Sequence, residues 1–155
     1  MKIAFCAGVA LFAAGSALAQ TPISLEAPAL DEAHFLAAAA NSAKTGDRDG
    51  TIQLYQSAII YAPSDPIPYQ RLAQFFVQSG DNELAQRYFG LALDVQPAYA
   101  PALAGLAMLE IAAGDRKGAQ TRHDILLHAC GAKCPETSQV EKALNGIVDT
   151  SLTGK

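Results

Sequence analysis

The sequence predicts an all-α protein: three helix-turn-helix units in a row, closed by a C-terminal capping helix. Three observations carry this expectation. Apolar residues recur at helical spacing, as in Tyr69, Leu72, Ala73 and Phe76, and again in Ala85, Phe89 and Ala92. Between those two stripes stands Gly80-Asp81, where a glycine can end one helix and an aspartate can cap the next. That punctuation returns at a fixed interval: Gly46-Asp47, Gly80-Asp81 and Gly114-Asp115 are 34 residues apart, as are Ala58 and Ala92, and Pro63 and Pro97. Pro97 cannot continue the helix before it.

The stretch from Pro66 to Pro97 resembles the tetratricopeptide repeat (TPR) family, on the strength of Tyr69, Leu72, Ala73, Phe76, Ala85, Phe89, Ala92 and Pro97. The resemblance implies a right-handed TPR solenoid of three repeats, 32–65, 66–99 and 100–133, in an exported bacterial form. The first repeat matches the family at Phe35, Ala39, Gly46, Tyr55, Ala58 and Pro63. It departs at Ala38, Ser42 and Thr51, so its first helix is expected to pack loosely. The third matches at Leu103, Leu106, Ala107, Gly114 and Ala119. It departs at Glu110, His123, Leu126 and Gly131, which makes its second helix atypical, as suits the end of a solenoid.

The flanks read from residues alone. Lys2, a short apolar run and the small-residue site Ala17-Leu18-Ala19 describe a signal peptide, 1–19, cleaved before Gln20. The chain is therefore expected in the periplasm or outside the cell, without membrane insertion after cleavage. Residues 20–30, with Pro22 and Pro28, read as a flexible arm, and Asp31 as the cap of the first helix. After the third repeat, Val140, Ala143, Leu144, Ile147 and Val148 form one apolar stripe. Pro135 and Glu136 suit the start of that helix. The expected capping helix spans 134–149, with a tail at 150–155.

The formal charge of −4 becomes −5 once Lys2 is removed. A mildly acidic chain argues against nucleic acid as a partner. No phosphate loop, G-x-S-x-G or H-E-x-x-H occurs, and His123-Asp124 are sequence neighbours that point apart on a helix. No enzyme activity and no cofactor are expected. Two cysteines remain after export, Cys130 and Cys134, and an even pair in an exported protein favours a disulfide. Free thiols, or a metal held by His128, Cys130 and Cys134, are the alternatives at that cluster.

What remains is binding. The resemblance implies a concave groove, and its groove positions fall on Leu36, Ala40, Ile67, Gln70, Gln74, Val77, Ala104, Met108 and Ile111. Glutamines can hydrogen-bond an extended peptide backbone, and methionine adapts to varied side chains. The carboxylate clamp of one chaperone-cofactor subgroup is not expected, since its places hold mainly Leu36, Ala40, Gln74 and Met108, with Arg71 the only cation near. The expected function is an exported module, adaptor or scaffold, that holds a protein or peptide in this groove. Metal or thiol-redox handling at the His/Cys cluster and self-association are the other readings.

Overall fold

The computed structural model describes the backbone of residues 31–153 and the side chains of residues 31–146. The expected signal peptide and arm lie outside the described residues. Seven helices follow one another there, without a strand: α1 (Glu32–Thr45), α2 (Arg48–Tyr61), α3 (Pro66–Gln78), α4 (Asn82–Val95), α5 (Ala100–Ala112), α6 (Arg116–Cys130) and α7 (Pro135–Thr153). The pairs α1–α2, α3–α4 and α5–α6 form hairpins, which join through α2–α3 and α4–α5. Helix α7 lies against both α5 and α6.

Local chemistry explains where the helices begin and end. Five helices start on an aspartate whose carboxylate accepts from a first-turn N–H: Asp31 from His34, Asp47 from Gly50, Asp65 from Ile67, Asp81 from Leu84 and Asp115 from Gly118. Each removes one of the donors that a helix start leaves without a partner. Pro66 opens α3, where its missing N–H costs nothing. The turn to α4 passes through Gly80 at φ 79°, which lets Asp81 N–H reach back to Phe76 O at 2.9 Å. An L side chain at that φ would be strained. The same turn recurs at Gly46 and Gly114.

Burial repeats with the 34-residue interval. Ala39, Ala73 and Ala107 are fully buried, and Ala58, Ala92 and Leu126 likewise. Tyr55, Phe89 and His123 are the large buried groups at one equivalent position of the second helices. Thr51 stands where the next repeats have Ala85 and Ala119, and it is as buried as they are. Its hydroxyl donates to Asp47 O at 2.6 Å, so the extra polar atom is satisfied inside its own helix.

The first hairpin is the thinnest. Helix α1 buries Ala39 alone among its residues, whereas α3 and α5 each bury a stripe that includes leucine. Ala38 and Ser42 occupy the places of Leu72 and Phe76. Arg48 ties this hairpin to the next, with its guanidinium 5.8 Å from the Phe76 ring centroid and 3.5 Å from Asp81.

The third hairpin replaces packing by an ion pair. In the second, Phe76 of α3 and Tyr88 of α4 stack with centroids 5.5 Å apart. Their equivalents are Glu110 and Arg122, and Arg122 Nε donates to Glu110 Oε1 at 3.3 Å. Two departures in one hairpin are thus a single exchange. Beyond it, Leu103, Ala107, Ala119 and Leu126 form a core with Val140 and Leu144 of α7. Helix α7 covers the apolar face that the last hairpin would otherwise expose.

Helix α7 corrects one expected boundary. It begins at Pro135, with Cys134 O accepting from Ser138 N–H at the cap position, and runs through Thr153 instead of stopping at 149. No proline or glycine interrupts residues 147–153, and the first breaker is Gly154.

Candidate peptide groove

One face of the stack is a continuous groove across α1, α3, α5 and α7. At its N-terminal end Leu36, Ala37, Ala40, Tyr55, Ile67 and Arg71 form one depression. It runs into a second through Ala40, Tyr55 and Arg71, reaching Lys44, Gln74 and Gln78. That in turn shares Gln74 and Gln78 with a third, of about 470 Å³, lined also by Val77, Phe89, Pro101, Ala104, Gly105, Met108, Glu136 and Gln139. Ile67 and Val77 are 37% and 41% exposed, high for such side chains.

Seven of the nine expected groove residues line these depressions: Leu36, Ala40, Ile67, Gln74, Val77, Ala104 and Met108. Gln70 and Ile111 do not, and both placements are corrected. Gln70 is only 4% exposed, because it shares a stripe of α3 with buried Pro66 and Ala73. Ile111 continues the buried stripe of Ala104 and Ala107 and packs against the second core. The expected pair of glutamines in mid-groove is instead Gln74 with Gln78, one turn apart on α3.

Sequence reasoning had Arg71 as the only cation near the groove; Lys44 lines it too, and Glu136 and Gln139 were missed. Arg71 lies beside Tyr55, with its Nη1 3.5 Å from Gln74 Oε1. Burial pushes the Tyr55 and Tyr99 phenols up, and the nearby Arg71 charge pulls both partly back. Tyr99 also senses Asp65 and Glu136. Groove polarity therefore changes along its length, from Lys44 and Arg71 to the carboxylate of Glu136 at the α7 end.

The junctions between hairpins differ under this surface. Tyr55 of α2 meets Arg71 of α3. One repeat later, Phe89 of α4 meets Gly105 of α5, where any Cβ would overlap the ring. Glycine at 105 leaves room for the Phe89 ring, which is only 2% exposed, to pack directly under the groove.

At the α6–α7 turn the sulfurs of Cys130 and Cys134 are adjacent, with their Cα atoms 5.7 Å apart, a span that suits a disulfide. Cys130 Sγ is 3.5 Å from the hydroxyl of fully buried Thr137. Gly131 at φ 82° closes α6, and Cys134 N–H returns to Gly131 O at 3.2 Å. Among the described residues, no three of His, Cys, Asp and Glu are placed to hold a metal ion. The alternative ligand set His128, Cys130 and Cys134 is therefore not assembled. His123 is packed at 8% exposure in the place of a core aromatic, with Nδ1 3.5 Å from Gln120 Nε2.

No family model matches the sequence, and no curated protein matches it. Solved structures do match in shape. The first TPR of Spaghetti (RPAP3) bound to HSP90 peptide SRMEEVD is 15% identical, with TM-score 0.64 over 76% of this chain and 96% of that one. The Sgt2 TPR domain from Aspergillus fumigatus is 22% identical, with TM-score 0.65 over 80% and 83%. The TPR2B domain of yeast Sti1, in a complex with pHsp70, is 15% identical, with TM-score 0.65 over 77% and 97%. This chain has the tetratricopeptide repeat fold. Its TPR hairpins are α1–α2, α3–α4 and α5–α6, and α7 is the helix that closes the TPR stack. Among the described residues, no helix is long and apolar enough to cross a membrane.

Proposed function

We propose that this TPR protein is an exported interaction module, an adaptor or scaffold that holds a segment of a partner protein in its concave groove. The observation that carries the reading is the groove itself: three depressions that share lining residues across four helices, with apolar and glutamine side chains together. Such a surface suits an extended peptide, whose backbone needs donors and acceptors and whose side chains need apolar recesses. Two structures of the same fold are of complexes, one with an HSP90 peptide and one with pHsp70. The reading is of a binder and not a catalyst. Export rests on the N-terminal 1–19 segment, and intact mass of the secreted protein should begin at Gln20.

The test is capture from a periplasmic extract of the source organism by the immobilised protein, with Gln74→Lys and Met108→Glu as controls. The expected result is one enriched envelope protein that both substitutions release while helicity by circular dichroism is unchanged. A retained set indifferent to both substitutions would move the function elsewhere. The adjacent sulfurs favour a Cys130–Cys134 disulfide in the exported form, read as a mass two hydrogens below that of the reduced chain.

A further inference from the structure

We propose that the C-terminal half of the groove is a recess for a basic side chain, arginine above all, with Glu136 as its counter-charge. This rests on the groove being a peptide site and specifies one residue of the peptide. The recess of about 470 Å³ is lined by apolar Val77, Ala104 and Met108 and by the amide groups of Gln74, Gln78 and Gln139. Glu136 is the one ionisable side chain that lines it. A recess that offers apolar side chains beside a single carboxylate fits a long aliphatic stem with a cationic head. Arginine fits better than lysine, because its planar fork engages a carboxylate through two parallel hydrogen bonds.

Glu136 is available for that role. Among the described residues no lysine or arginine pairs with it. Its near neighbour is Cys134 Sγ, 3.0 Å from Oε2, and a sulfur joined to Cys130 has no hydrogen to donate. The backbone that carries it is also held in place. It sits in the first turn of α7, which is anchored by buried Thr137, Val140 and Leu144. Farther along the groove, Arg71 repels a cationic head from the N-terminal half. Among the three depressions of the groove, Glu136 is the one carboxylate, so a basic side chain seated there would orient the partner segment.

Met108 is the only methionine after Met1, so its ¹³C-methyl signal reports on the floor of this recess alone. The exported, oxidised protein is titrated with N-acetyl-arginine amide and, separately, with its neutral isostere N-acetyl-citrulline amide. Arginine amide should move the Met108 methyl and bind about fivefold more tightly than citrulline amide at low salt. In Glu136→Gln the two probes should become equal. In the unmodified protein, salt should narrow the difference, because the pair is partly exposed. Equal binding of both probes to the unmodified protein would overturn the charge assignment and leave an apolar peptide groove standing. No Met108 shift with either probe would overturn the assignment too, and the capture experiment would then decide the groove itself.

Discussion

Glu110 and Arg122 show how a single position can mislead when read alone. A glutamate in the place of Phe76 is a misfit by itself, and its side chain is only 13% exposed. Arg122, 34% exposed, turns the misfit into a pair at 3.3 Å. Removing one partner leaves the other poorly satisfied, so Glu110→Ala or Arg122→Leu should each lower stability by about 1–3 kcal/mol. The solvent that reaches Arg122 argues for the lower half of that range. The double substitution Glu110→Phe with Arg122→Tyr transplants the stacked pair of the second repeat and should recover most of the loss. Urea unfolding of the three variants decides it; wild-type midpoints in both single variants would show that the pair contributes nothing. The departure at 110 was plain in the sequence. Its compensation was not, because an arginine on a helix surface looks ordinary until the hairpin brings it across.

Among the elements, the hairpin helices were legible because most are punctuated locally: Asp starts all but α5, and Gly follows α1, α3, α5 and α6, while Pro63 and Pro97 stand beyond α2 and α4. Helix α7 was legible from its apolar stripe, but only as a cover. Its contribution of Glu136 and Gln139 to the groove depends on how it docks on α5 and α6, which periodicity does not encode. Gln70 went the other way: its stripe on α3 was visible, but whether that stripe met solvent or a neighbour was set by packing. The α6–α7 turn carries a further expectation. A disulfide that closes so short a loop stabilises by about 2 kcal/mol in the chain-entropy picture. Reduction, or Cys130→Ser with Cys134→Ser, should lower the thermal midpoint accordingly. Hydrogen exchange should then rise first at the start of α7, and an unchanged α7 would argue that Thr137, Val140 and Leu144 hold it unaided.

Over the whole molecule, the repeats are unequal in what they bury. A solenoid's stability is a sum over units and their junctions, so unequal units open separately. Amide exchange should be fastest in α1, which buries Ala39 alone, and slowest in α3 and α5. Uniform protection across the three hairpins would mean that the stack opens only as one piece. A regular backbone also invites a particular error, in which a hairpin docks one repeat out of place, within the chain or between two chains. The junctions guard against it. A slip of one repeat would set Phe89 against Arg71, where its ring expects the bare backbone of Gly105, and would leave Tyr55 over a glycine with its cation gone. Refolding and assembly are thereby steered to a single register by joints that fit only their own neighbours.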